Sequence, residues 1–400
     1  MVKCPESSTQ LSFQLLFIYI VHTFMSSINY SLPSPLKVGI IGGSIGGLAA
    51  ATAFYRLGAS VKVFEKSPSS FEGRGGSIGF CDIPLWQALR GERMIRRGVQ
   101  ASRGQGAFLY GDLWQFWNAG LPAGTITYNS RIDTLGDDVR NPMIQGETFD
   151  LVILADGGWS EMRKKYFSVL PAPDYAGYGV WRFRINAKDV PGFSAFGEYY
   201  NKHHFTIILP IAKDDGQDFL MGGTAIAQPE SEAKLPDAGS NRQEISPDSM
   251  CPDWFLPYYK EKFGNIHNGE IYRVMEVAAQ KGKIAPHWQY EFKATQIVQG
   301  RLVLVGDAAH MASPRTGAGA HTAVLDAMGL YDAFGSVLTA APESATKDEL
   351  IQMALRSYEP EALQRASALY ARSRAVSSQV VPPGWLPKSE RQPPTNMKEL

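Results

Sequence analysis

A chain of 400 residues, 44% hydrophobic and 20% charged, is too long for one small core and has the make-up of an ordinary globular protein of two domains. Lys+Arg and Asp+Glu both number 39, so no net field recruits nucleic acid or an anionic membrane. The three cysteines, Cys4, Cys81 and Cys251, are odd in number and far apart, which excludes a disulfide framework and a C-x-x-C metal knuckle and favours a reducing, cytoplasmic setting.

In chain order, residues 1–34 read as an extension ahead of the first domain. Leu11 to Met25 is apolar but falls short of the roughly 20 residues a membrane span requires. The Pro/Ser-rich lead after Met25 makes a natural domain start. Weak membrane association through residues 11–25, and secretion, are the competing readings of this segment. Lys37 to Ile41 is a short apolar run of the kind a buried parallel strand needs. Glycines follow, then the small and apolar stretch LAAATAFYRLG predicts a helix ended by Gly58, and SVKVFEK a second strand. This is a βαβ unit. Phe71 to Phe80 is a glycine-rich loop, and a helix is expected near Leu85 to Arg97. Thr148 to Tyr166 reads as another buried strand, a turn and a helix start. From Tyr175 to Ala227 the pattern changes to aromatic-rich, β-prone runs that predict antiparallel strands of a second layer. Pro229 to Asp253 is polar and Pro/Ser-rich, as in a loop. Gly300 to His310 returns to the buried-strand pattern, and Ala323, Val324, Ala327, Leu330, Tyr331, Phe334 and Leu338 keep helical spacing after it. The tail from Val381 onward, rich in Pro and charge, is expected to lack order.

The first turn carries a nucleotide-binding pattern with one change. Gly42 and Gly47 fill the first and third places of G-x-G-x-x-G, and Ser44 stands in the second. A helix starting near Ser44 aims unpaired backbone N–H groups and its positive dipole end at the turn, a seat for phosphate. Glu65, about 20 residues on at the end of the second strand, is where a carboxylate accepts both hydroxyls of an adenosine ribose. This much does not separate NAD from FAD. The far end of the chain does. In GDAAHMASPRTGAGAHTAVLDA, Asp307 at a strand end can accept hydrogen bonds from a polyhydroxyl chain. Gly317, Ala318 and Gly319 let backbone approach a flat ring, and the following helix would stabilise negative charge on a reduced isoalloxazine.

With these residues the sequence resembles the FAD-dependent aromatic hydroxylases, single-component flavoprotein monooxygenases of the para-hydroxybenzoate hydroxylase type. The signatures run in order: the first turn with Glu65, then DGGWSEMR (Asp156 to Arg163), then GDAAHMASPRTGAG (Gly306 to Gly319). GGSIGGL and YAGYGVWR look most like the dihydroxypyridine hydroxylase branch. The resemblance implies an α/β fold in which a Rossmann-like FAD-binding domain with a parallel sheet interleaves with a smaller antiparallel β-sheet substrate domain, followed by C-terminal helices. On that basis residues 35–170 form the first part of the FAD-binding domain and 171–295 the substrate domain. Residues 296–375 form the second FAD-binding part, and 376–400 the tail. FAD is implied as a non-covalent cofactor and NADPH or NADH as a transient co-substrate, with no metal. Arg74 and Gly76 are implied to line the phosphate and ribityl path, and Asp156 and Gly157 to open a turn that touches flavin and reductant. Asp307 is implied to hold the ribityl chain, and Pro314 with Gly317, Gly319 and Ala320 to frame the ring. Two features depart from the family: Tyr110 stands where an arginine is common, and the segment from Ile78 to Leu113 is short.

The implied activity is hydroxylation of a small aromatic or heteroaromatic substrate with NAD(P)H and O₂ through a flavin hydroperoxide. The substrate is expected between the flavin and the β layer, with Trp181, Arg182, His203, His204 and Phe205 as wall candidates. Arg182 would pair a phenolate or carboxylate and His204 would accept a phenol proton. His310 is read mainly as a packing residue. The alternatives are a flavin-dependent epoxidase or oxidase of a larger isoprenoid or polyketide-like compound, and an FAD-binding protein without turnover.

Overall fold

The computed structural model describes residues 35–68, 77–80, 106–136, 138–195, 197–201, 204–211, 218–232, 251–342, 344–385 and 387. Strands β1 (Lys37–Ile41) and β2 (Ser60–Phe64) pair in parallel across helix α1 (Ile45–Arg56), as the βαβ pattern predicts. A two-stranded unit, β3 (Ser77–Phe80) with β4 (Gly106–Leu109), leads into helix α2 (Tyr110–Asn118). The short strand β5 (Ile126–Thr127), the hairpin β6 (Met143–Ile144) and β7 (Glu147–Thr148), and β8 (Leu151–Leu154) follow, then helix α3 (Glu161–Tyr166). Strands β9 (Asp174–Asn186), β10 (Gly197–Asn201), β11 (His204–Ile211) and β12 (Phe219–Ala227) come next. Helices α4 (Phe255–Phe263) and α5 (Glu270–Gln280) separate them from β13 (Ile284–Lys293). The last strands are β14 (Val298–Gln299), β15 (Leu302–Leu304) and β16 (His310–Met311), and the chain closes with α6 (Gly319–Ala340) and α7 (Lys347–Ser377).

The first sheet has the order β14-β15-β8-β1-β2-β5 and is parallel except at the β14–β15 edge. Its central strand β8 is fully buried, which explains an unbroken apolar run in place of an alternating one. Helix α1 is built from glycine and alanine on its buried faces because it lies between this sheet and α6, where Phe54 meets Phe334 edge-on at 5.0 Å. Helix α7 begins with a capping box, Thr346 and Glu349 satisfying each other's backbone N–H groups. Its Glu359 accepts from the backbone of Ile297 and Val298, which ties α7 to the sheet edge.

The second sheet, β10-β11-β12-β9-β13-β16, is antiparallel throughout and contains the strands expected between Tyr175 and Ala227. Helices α4 and α5 cover one face of it. Their apolar residues, Phe255, Tyr259, Phe263, Ile271, Val274 and Met275, pack on Trp181, Phe183, Ile185 and Ile208. The other face carries Tyr178, Val180, Phe205 and Ala225 against Val380 and Val381. This corrects, for its first residues, the expectation of a tail without order from Val381; residues 388–400 lie outside the described residues. Val380 and Val381 are buried, and the absent side chain of Gly177 admits them and Trp385 to the strand, since a Cβ there would lie 2.7 Å from both Val381 and Trp385. Burial against an apolar sheet face outweighs the local Pro-rich composition.

The expected helix near Leu85 to Arg97, the apolar stretch 11–25, the residues Arg74, Gly76 and His203, and most of the Pro229 to Asp253 loop lie outside the described residues. Among the described residues no helix is long and apolar enough to cross a membrane, and no group of His, Cys, Asp and Glu has a metal-binding arrangement. The packing of this segment is testable: Val381→Ala is expected to lower unfolding free energy by about 2 kcal/mol in chemical denaturation, the usual cost of a small buried cavity.

Candidate active site

The glycine turn is fixed by contacts on every side. Gly42 takes a left-handed φ of +106°, and a Cβ there or at Gly47 would strike a backbone carbonyl oxygen, that of Ala155 or of Gly42 itself. Ser44 occupies the N-cap of α1 yet makes no capping bond to its own helix. Its hydroxyl instead meets the Tyr110 hydroxyl at 2.6 Å, and from the next turn of α2 Trp114 Nε1 donates to the Gly43 carbonyl at 2.8 Å. Ser44, the change in the glycine fingerprint, and Tyr110, which stands where the family commonly has an arginine, are therefore bonded to one another. Because the serine does not cap, the first amides of α1 are left for an external acceptor. Glu65 follows β2 and is buried, its Oε2 accepting from Gly43 N at 2.7 Å and its Oε1 from Ser67 N at 2.8 Å. Each carboxylate oxygen retains a second acceptor site for a ribose hydroxyl.

Both downstream motifs meet this turn. A Cβ at Gly42 would lie 3.1 Å from Asp156 Cα, and one at Gly46 would lie 3.3 Å from Ala323 Cβ and 3.9 Å from Gly306 Cα. Arg163, buried and capped into α3 by Ser160, donates to the carbonyls of Ala308 at 2.9 Å and Gly158 at 2.6 Å and stacks over Phe292. It thus joins DGGWSEMR to GDAAH. Burial pulls the Arg163 guanidinium down to about 10, opposed by Asp156 and Asp307. Asp307 sits in a single 3₁₀ turn, Gly306–Ala308, after β15. A second such turn, Pro314–Thr316, ends at Gly317 with φ +62°, and a Cβ at Gly317 or Gly319 would enter open space. Helix α6 starts there with no side-chain cap.

The residues fit a flavin dinucleotide. Asp156 Oδ1 is shielded from solvent and has no donor, while its Oδ2 accepts from Met162 N at 3.3 Å. A buried acceptor without a donor is costly unless a ligand hydroxyl supplies one. Burial, the largest influence, raises the Asp156 carboxyl above its ordinary value, and bonds from Ser160 and Met162 only partly offset it. His310 is buried, and its Nε2 meets Asp326 Oδ2 at 2.6 Å.

On the substrate side the structure divides the wall candidates between two faces. Phe205, Ala225 and Val180 align across three strands, as do Thr206, Thr224 and Trp181 on the reverse face. Arg182 and Phe205 share the face that looks toward the Pro314 turn, because Tyr178 on that face bonds Ser313 Oγ at 2.5 Å and Arg315 lies 4.4 Å over the Phe205 ring. Trp181 and His204 face the helices. Trp181 packs on Trp254 and Phe255, and His204 Nδ1 meets the Tyr258 hydroxyl at 2.8 Å. Adjacent residues of a strand point to opposite faces, so neither joins Arg182. Tyr178, Arg184 and Arg315 are site-side residues that the sequence reading passed over. The alternation in WRFRIN, apolar at 181, 183 and 185, held the signal for Arg184.

The raised Asp156 carboxyl has a pH consequence. The folded, flavin-free protein holds that proton more tightly than the unfolded chain, so its stability falls as pH climbs from the ordinary carboxylate value through the raised one. Asp156→Asn is expected to gain stability over the parent across that window and to show no gain below it, in denaturation curves of flavin-free protein.

A family model described as "FAD binding domain" matches residues 266–373. The dual trans-enoyl reductase/FAD-dependent monooxygenase tazHJ of Aspergillus terreus is 26% identical over 397 residues, covering 87% of this chain, which spans 55% of that protein's length. The 2,6-dihydroxypyridine 3-monooxygenase of Paenarthrobacter nicotinovorans is 23% identical over 87% of this chain and 92% of its own. The solved structure of 2,6-dihydroxypyridine-3-hydroxylase from Arthrobacter nicotinovorans superposes with a TM-score of 0.67 at 21% identity, over 87% of this chain and 93% of that one. The likeness carried by the motifs is thus found again in whole-chain comparison: the chain is similar to FAD-dependent monooxygenases of the aromatic hydroxylase type, and its C-terminal part matches an FAD binding domain.

Proposed function

We propose that the protein uses NAD(P)H and O₂ to hydroxylate a small aromatic or heteroaromatic compound. The observation that carries this reading is the meeting of three separated motifs at one glycine turn, with Arg163 bridging DGGWSEMR to GDAAH, Gly42 close to Asp156 and Gly46 close to Gly306. The similarity to a 2,6-dihydroxypyridine 3-monooxygenase over nearly its whole length supports the substrate class.

The flavin, when bound, supplies the redox chemistry; the protein supplies binding, orientation and exclusion of water. Gly42, Ser44 and Gly47 would seat the pyrophosphate at the N-terminus of α1, with Glu65 on the ribose. Asp156 would offer its unpaired oxygen to a hydroxyl of flavin or reductant, and Asp307 would hold the ribityl chain. Pro314, Gly317, Gly319 and Ala320 would frame the ring. Arg182, on the face shared with Phe205 and Tyr178, would pair an anionic group of the substrate. Arg184 lies on the same face, where burial lowers its guanidinium and the nearby Asp112 opposes the shift. Residues 35–170 and 296–375 together would form the flavin domain and 171–295 the substrate domain.

A second reading, oxidation of a larger secondary metabolite, is favoured by the likeness to the fungal dual reductase/monooxygenase. One experiment separates them. Purified protein is expected to be yellow, with a flavin spectrum, and to consume NADPH or NADH faster when phenols or hydroxypyridines are added, yielding hydroxylated product. A flavin spectrum without stimulation by any of that panel would contradict the small-aromatic reading. Arg182→Gln is expected to raise KM for an anionic substrate about tenfold or more while flavin content is unchanged, as loss of a charged hydrogen bond predicts.

A further inference from the structure

Asp326 lies on α6 and is 1% exposed, yet three donors from three segments converge on it. Gly306 N donates to Oδ2 at 3.0 Å, His310 Nε2 meets the same oxygen at 2.6 Å, and Arg365 Nε on α7 donates to Oδ1 at 3.2 Å. Gly306 and His310 are the first and last residues of GDAAH, and Asp307 stands between them. One carboxylate therefore closes both ends of the turn. Inside it, Ala309 N bonds the Gly306 carbonyl at 2.8 Å, and Gly306 takes a left-handed φ of +60°. That single local bond is a weak restraint on a segment that begins with glycine, which moves freely between conformations, and the carboxylate adds an external one.

We propose that Asp326 is a positioning residue: by clamping Gly306 and His310 it fixes the turn that aims Asp307 at the flavin's ribityl chain. This rests on the reading of Asp307 as the ribityl holder. The charge on Asp326 is what makes the clamp firm. A buried carboxylate is tolerated only with strong donors, and two of its three donors, His310 and Arg365, are groups able to carry positive charge. Arg365 in turn lies over the Tyr358 ring and passes the restraint to α7. A substitution that keeps the shape of Asp326 but removes its charge loosens the turn around Asp307; the packing of Gly46 on Gly306 and Ala323, through which the first glycine turn meets this segment, keeps its residues, and the adenosine half of the cofactor would sit at that first turn.

The test compares two ligands on flavin-free protein, FAD by quenching of flavin fluorescence and ADP by calorimetry, because ADP reaches only the first turn. Asp326→Asn, and His310→Phe as a second variant should the first fail to fold, are expected to weaken FAD about tenfold or more, the cost of losing a charged buried hydrogen bond. ADP affinity is expected to stay within about twofold of the parent. Asp307→Ala should weaken FAD as well, and adding Asp326→Asn to it should cost little more, because both act through one carboxylate. Unchanged FAD affinity in the folded variants, a parallel loss of ADP, or fully additive losses would each overturn the clamp. Full FAD affinity in Asp307→Ala alone would instead overturn the ribityl reading on which the clamp rests.

Discussion

The site depends on the close approach of two backbones, α1 and the segment from Gly306 into α6. That approach is possible because Gly46 has no side chain where Ala323 and Gly306 come nearest. Helices α1 and α6 then pack along their length, and Ala49, Ala50, Ala51 and Ala53 complete a surface of small residues. Once the two ends of the chain are brought together, the rest follows by short tethers. Arg163 reaches two carbonyls in different motifs, and Trp114 and Tyr110 hold the first turn from α2. The molecule invests buried polar groups at this junction, where hydrophobic packing alone would not specify a unique geometry.

A second polar network faces the sheet. Glu291 is buried and accepts from Ser373 and Ser377 at 2.6 and 2.7 Å and from Arg374 at 2.8 Å. Ser373 Oγ also accepts from Ser313 N at 2.7 Å, and the Ser377 hydroxyl lies 3.2 Å from that of Tyr178. The end of α7 is thereby locked to the loop before Pro314 and to the face of the second sheet that carries Tyr178. Arg315 completes the lock with bonds to Val376 and Gln379. The loop proposed to frame the flavin ring and the wall proposed to face the substrate are thus held by one helix.

How much of this was legible follows from the range of each interaction. The βαβ unit, the strand before GDAAH and the helix after it were readable because hydrophobic period and glycine placement are local properties. Glu65 was readable because its distance from the turn is set by a helix and a strand of ordinary length. The Ser44–Tyr110 bond was not, since nothing in either segment announces the other. The period-2 pattern of WRFRIN was visible, but which face meets the flavin loop is decided by α4 and α5, which arise later in the chain and which the sequence reading did not resolve. His204 was misplaced for the same reason: its apolar neighbours come from α4. The ion pair of His310 with Asp326 joins a strand residue to a helix that leaves the turn between them, a geometry no spacing rule encodes.

The central claim is that the first glycine turn, despite its serine, is the seat of the cofactor's phosphates. Titration of flavin-free protein with FAD, parent against Ser44→Leu, tests it most directly. A single saturable site is expected in the parent and a large loss of affinity in the leucine variant, whose side chain would occupy the mouth of α1. Equal FAD affinity in the two proteins would contradict it.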